Sequence, residues 1–380
     1  MSDYEESYLP NEEDSDQAGE QLSISEAVAE LPEEEGEETE WVSQFFGHGS
    51  HSVFAVDCHP RDPTMVASGG EDDRAFLWRL EPGISAMEHE LGGFGDSVIA
   101  VRFSPCGEYL AAAGMDGQVR VLHEKGTIVF EGPSSAITCL DWHSSRPLIV
   151  AGTEDGSLWL WDVSSEACLN VLVQGGHSTP VTAVLFSRDG NLIVSGSAEE
   201  QGHVIVWDAG SGKALFKYQG HAVNCLAIHP NNQVVFVAEE SGRISCLQLT
   251  KHSTVANLDD HQESVEGIAL NPDASMLASA SMDGTVHVRE NANLTRIRCR
   301  LDHSESGGVC KLRWIGNWQL VTGCLNGWIR RWDARTGVLL QSWDGPAAVL
   351  DLSASALVPM IVAGFDDGTV AVYDYDLPQP

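Results

Sequence analysis

The chain has 380 residues, with 21 Lys and Arg against 56 Asp and Glu, a formal net charge of −35, and 43% hydrophobic residues. That apolar content supplies a large core, but a chain so acidic presents no basic stripe for phosphate backbones, so direct nucleic-acid binding is not expected. No apolar run approaches ~18 residues and the first forty lack a basic segment leading into an apolar one, so neither a membrane span nor a secretory signal is expected.

Residues 1–40 hold sixteen of the acids and no Lys or Arg, which leaves 40 acids against 21 bases, or −19, for the remainder. Self-repulsion of that density predicts a disordered acidic tail. Within it Ser23 and Glu26 form a capping box, and Ile24, Val28 and Leu31 share one helical face. That reads as a transient helix or a docking motif. The expected domains are the tail over 1–40 and one folded domain over 41–376.

From there the chain repeats. A strand–turn–strand unit at 68–78, SGGEDDRAFLW, returns seven more times, with its turn at 72, 116, 155, 201, 241, 283, 326 and 367. A period in the low forties is that of a propeller array, and eight copies predict eight blades. Flanking residues alternate as in strands, for instance Val119 and Val121 or Val370 and Val372. A glycine after the turn acid permits the positive φ of a tight hairpin. Upstream turns such as 104–107 and downstream turns such as 209–213 and 334–337 bring each repeat to four strands. A lone four-stranded sheet cannot bury both faces, so the sheets must stack around an axis.

The two ends of the repeat array complement each other. Trp41 to Phe46 precedes Gly47–His48 as Ala214 to Gln219 precedes Gly220–His221, so 41–46 reads as an outer strand with no blade of its own. Seven residues follow Tyr373, two of them proline, which forbids an outer strand there. Residues 41–46 are therefore expected to complete blade eight and close the ring.

Catalytic signatures are missing: there is no H-E-x-x-H or G-x-S-x-G, and the histidines lack metal-ligand spacing. Gly210 to Lys213 resembles the end of a phosphate loop, yet Ala214 stands where a magnesium-binding Ser or Thr belongs. No enzyme activity, cofactor or metal is expected. Nine scattered cysteines without a C-x-x-C pair fit a reducing compartment, cytoplasm or also nucleus.

The repeats resemble WD repeats, which implies an all-β, eight-bladed WD-repeat propeller closed by its N-terminal strand. The resemblance implies a buried network in blade one of His48, Ser68, Asp72 and Trp78. His177 and Trp207 remain in blade four, and His261 and Asp283 in blade six, where Arg289 replaces the tryptophan. Blades three and seven keep Trp161 and Trp332, blade five only Gly220–His221, and blades two and eight place Leu122 and Tyr373 at the aromatic position. His303 reads as a further network member or remnant.

In WD propellers the turn between second and third strands and the loop between blades open on one face. Asp72, Asp116, Asp155, Asp283 and Asp367 occupy the structural acid position there. Beyond them the face is expected to carry Glu71, Asp73, Glu154, Glu199, Glu200, Glu239, Glu240, Asp260, Glu263 and Asp366, the candidate partner-binding residues. Like charges on one rim focus a negative potential over the funnel, suited to a Lys/Arg-rich segment; solvated surface is the other reading. Trp328, near the blade-seven turn, either stacks on an arginine or packs internally.

Residues 69–80 and 332–337, with the acidic head leading into Trp41–Val42, are similar to the angio-associated migratory cell protein family. That family includes a chaperone that holds a newly made basic ribosomal protein of the large subunit. The resemblance implies that the acidic face covers the client's basic N-terminal segment; a monomer is expected. A histone or histone-tail binder, which shares the need for an acidic face, and a signalling or ubiquitin-ligase adaptor, which does not, remain alternatives.

Overall fold

The computed structural model describes residues 43–81, 84–198, 203–303 and 307–376. The acidic tail, the capping-box segment, Trp41 and Val42, Glu199 to Gln201 and the last four residues lie outside them.

Eight antiparallel sheets of four strands are present. Blade one runs through Val53–Cys58, Met65–Gly70, Ala75–Glu81 and Ile84–Leu91. Six further blades follow the same order. Each first strand contacts the first strand of the next blade, and the first strand of blade eight, Val349–Ala354, returns to that of blade one. The first strands therefore line the axis, and the last strands, with exposed Val129, Leu169 and Val255, form the outer wall.

Two glycine positions explain the stacking and the hairpins. In blade one, a Cβ on Gly69 would lie 2.7 Å from Val98 of blade two. Gly152 stands likewise against Val181, Gly323 against Val349, and Gly364 against Val53. A bare backbone there receives the first valine of the next blade, and that contact holds sheet on sheet. In the hairpins, Gly117, Gly156, Gly284 and Gly368 take positive φ directly after the turn acid. Blade one has no glycine at that place, and Asp73 adopts φ 61° instead, a region Asp tolerates better than most residues.

The ring closes as the ends predict. Ser43–Phe45 pairs with the third strand of blade eight, Ser43 opposite Val372 and Phe45 opposite Val370. At its C-terminal end the strand stops one residue before the expected 46, and Phe46 is 60% exposed beyond it. The Phe45 ring also packs against Trp78 and lies 5.9 Å from Phe76, so the closing strand grips blade one as well as blade eight.

Charged side chains cross-link the axial wall. Arg102 of blade two and Arg313 of blade seven converge on Asp351 of blade eight at 3.5 and 3.2 Å. Burial pushes the Asp351 carboxyl up, but the two guanidinium groups override it and hold it below the ordinary range. Asp57 accepts the backbone N–H of Phe103 in blade two at 2.8 Å, and Asp141 accepts that of Phe186 in blade four at 2.7 Å. Among the described residues Asp141 forms no ion pair, and burial pushes its pKa up to about 7.

Candidate partner-binding face

The blade-one network forms a continuous relay. His48 Nδ1 lies 2.7 Å from Asp72 and His48 Nε2 lies 2.8 Å from Ser68 Oγ, which also accepts Trp78 Nε1–H at 2.9 Å. With Asp72 as acceptor, Nδ1 carries the proton, Nε2 accepts the serine hydroxyl, and every polar atom is satisfied. Blade four repeats the His177–Ser195–Trp207 portion. In blade seven Thr322 stands in for the serine, between His303 Nε2 at 3.2 Å and Trp332 Nε1 at 3.0 Å. His303 therefore belongs to a network. Burial and the Arg330 guanidinium push its pKa down to about 3, so it stays neutral.

Blade six differs most. His261 bonds Ser279 at 2.8 Å and Asp283 at 3.3 Å, and stacks on His287 with ring centroids 4.1 Å apart. Arg289, in the tryptophan's place, is 1% exposed and donates to Asp260 at 2.5 Å. A buried guanidinium needs such a carboxylate, so Asp260 is engaged internally.

At one end of the ring a backbone bond recurs in all eight blades. The residue after each second-strand end donates its N–H to the carbonyl of the residue just before the same blade's first strand. The donors and acceptors are Glu71 to Ser52, Met115 to Ser97, Glu154 to Ala136, Ala198 to Pro180, Glu240 to Ala222, Met282 to Ser264, Leu325 to Gly308 and Asp366 to Ala348. Because the first strands line the axis, these eight residues encircle the channel mouth. The acceptor residues are all small, which leaves the mouth open. Glu71, Glu154, Glu240 and Asp366 are exposed there, and none forms an ion pair with a described residue. Glu71 and Asp366 both accept from Ser52, through its N–H at 3.2 Å and its hydroxyl at 2.8 Å.

The remaining expected residues are placed differently. Glu263 is exposed in the loop before the first strand of blade six, with no ion pair to a described residue. Asp73 serves the blade-one turn. Glu239 points inward, 1% exposed, accepting from Ser245 Oγ at 2.7 Å and Ser241 Oγ at 3.1 Å. Its counterpart in blade one is Gly70, where a Cβ would sit 2.7 Å from His48 Nδ1. Glu239 thus enters the pocket that histidine fills elsewhere, while His221 of its own blade is exposed. Glu199 and Glu200 lie outside the described residues.

The structural acids are consumed by their turns. Asp116 accepts Gly95 N–H at 2.7 Å, Asp283 accepts Gln262 N–H at 2.8 Å, and Thr153 and Ser157 hold the Asp155 carboxyl below its usual range. Trp328 already carries the chain's own Arg330, 5.5 Å above its ring. In the 210–213 loop, Ser211 N–H bonds Asp208 Oδ1 at 2.7 Å and Gly212 N–H bonds Asp208 O at 2.8 Å, so an internal acid occupies the would-be phosphate position. Sequence reasoning missed Met115, Ala198, Met282 and Leu325; the available signal was that Met115, Met282 and Leu325 stand directly before the turn residue, whereas Ala198 stands three residues before its own.

The WD domain, G-beta repeat, matches residues 39–79, 86–122, 125–162, 167–208, 212–246 and 252–289, together more than half the chain. The chain belongs to that family. The first match begins before the closing strand and ends with the third strand of blade one, so the sequence repeat is offset from the blade by one strand. Human angio-associated migratory cell protein is 28% identical over 351 residues, covering 86% of this chain and 79% of that protein. A WD repeat-containing protein of Schizosaccharomyces pombe is 31% identical over 349 residues, 88% of this chain and 86% of its own. Among solved structures, Chaetomium thermophilum Sqt1 bound to the N-terminus of ribosomal protein L10 superposes with a TM-score of 0.79 at 24% identity, covering 89% of this chain and 100% of that one, a likeness of fold.

Proposed function

We propose that this propeller is a non-enzymatic chaperone that holds the basic N-terminal segment of a newly made large-subunit ribosomal protein during ribosome assembly, in the cytoplasm and also the nucleus. The observation that carries the reading is the set of four channel-mouth carboxylates that form no ion pair with any described residue. Ion-pair-free acids crowded on a rim repel one another, and an incoming arginine or lysine relieves that repulsion. Support comes also from the relatives: yeast Sqt1 is a ribosome assembly protein, 24% identical over 328 residues, and the Chaetomium protein holds the L10 N-terminus. Bound in this way, a cationic segment is kept from indiscriminate contact with RNA until rRNA phosphates compete for it.

Affinity capture followed by mass spectrometry tests the partner. One stoichiometric large-subunit ribosomal protein is expected; histones or cullin-type adaptors in its place would overturn the assignment. Binding of the captured protein's N-terminal peptide tests the face. Replacing Glu71, Glu154, Glu240 and Asp366 together by their amides should weaken it about 100-fold with the melting temperature unchanged. Undiminished binding would move the site elsewhere.

A further inference from the structure

The channel-mouth ring is not uniformly acidic. In blade order its members are Glu, Met, Glu, Ala, Glu, Met, Leu and Asp. Carboxylates stand in blades one, three, five and eight, and apolar side chains in the four between. Met115 and Leu325 are each 42% exposed, although rotationally equivalent positions are filled by exposed acids. Met282 is half-buried, its thioether beside Gly308 of the neighbouring blade.

Resting on the capture reading above, we infer that the mouth selects cationic segments that also carry aliphatic side chains, with Met115 and Leu325 as specificity-determining residues. A ring built for charge alone gains nothing from thioether or isobutyl groups among its members. Each carboxylate meets a guanidinium or ammonium group, while the apolar members between them remove aliphatic side chains from water. An extended segment laid across the mouth presents successive side chains in opposite directions, so one that alternates charge with apolar groups offers both kinds to the ring. Methionine suits this role because its unbranched, polarizable side chain adapts to differently shaped guests. The two contributions also respond differently to salt: screening weakens the ionic part, whereas apolar burial persists. A polycation without apolar groups is released at moderate ionic strength, and a mixed segment is retained. Trp328 takes no part, since Arg330 already covers it.

Two peptides of equal length and charge test the inference against the full chain, one alternating arginine with leucine and one alternating arginine with serine. At elevated salt the arginine–leucine peptide should bind at least about tenfold more tightly. Met115→Ser with Leu325→Ser should bring its affinity down to that of the arginine–serine peptide and leave the latter unchanged. Met115→Glu with Leu325→Glu separates the two ideas further. It should tighten the arginine–serine peptide and weaken the arginine–leucine peptide, with thermal melts confirming that both variants fold. Equal affinity of the two peptides for the wild-type protein, or tighter arginine–leucine binding by the glutamate variant, would overturn the inference and leave the capture reading standing. Binding of neither peptide would remove both.

Discussion

Ser68 accepts an indole N–H and donates to an imidazole at once, so its hydroxyl satisfies two buried groups. Ser68→Ala leaves both unpaired and should cost about 2–3 kcal/mol. Ser279 serves only His261, because Arg289 replaces the tryptophan of blade six. Ser279→Ala should therefore cost about half as much. Denaturant titration of both variants measures the difference, and equal losses would contradict the relay. Asp141 gives a pH signature. Its folded pKa of about 7 lies above the ordinary 3.8, so the native state binds its proton more tightly than the unfolded chain. Its contribution is fully present below pH ~4 and is lost as pH rises towards about 7. Asp141→Asn, which keeps an acceptor for Phe186 N–H, should melt like the parent at pH 4 and above it at pH 8. The gap between those pKa values caps the gain at about 4 kcal/mol. A variant less stable at pH 8 would show that the carboxylate is better accommodated than burial implies.

At the scale of the element, the closing strand is doubly anchored, through its ladder to blade eight and the Phe45 ring against Trp78. Removing residues 1–40 should leave the melt unchanged, whereas removing 1–47 should lower it sharply, since blade eight then exposes an unpaired edge. Equal melts for the two truncations would mean that closure does not depend on this strand. Blades were legible in the sequence because their signals are local: an acid, a glycine and a strand on either side of one turn. The pocket beside each turn was harder to read, since it is filled by whichever distant residue fits. His48, His177, His261 and His303 enter it from the loop between blades. In blade two Phe94 does so, packed at Gly114, and in blade eight Phe365 reaches it from the second strand against Gly345. Glu239 does the same in blade five, and an exposed-looking Glu-Glu pair gave no sign that one member turns inward. Asp260 was misleading for a related reason: its partner Arg289 is 29 residues away, and only the fold brings them together.

For the whole molecule, the reading predicts a salt dependence. Capture of the basic segment should weaken sharply between ~50 and 500 mM salt as the screening length contracts. The propeller itself should melt at nearly the same temperature throughout, because its blades are held by buried Val, Trp and Ala contacts and by bonds within sheets. Parallel binding and melting series across that range check both halves. A loss of affinity that tracks a loss of folding would point to disassembly and away from screening. The sign of the mouth was foreseeable from composition, but its pattern was not: Met115 and Leu325 look like ordinary strand-end residues until eight equivalent backbone bonds align them with the carboxylates.

The shared last blade also has a consequence for how this protein is born. Residues 43–45 leave the ribosome early and their partner, Val370 to Val372, comes some 325 positions later. At ordinary translation speeds of about 5–20 residues per second, the seam stays unzipped for roughly 16–65 seconds. During that interval the nascent array is an open horseshoe with an unpaired strand edge at each tip, the kind of edge that invites mispairing with other chains.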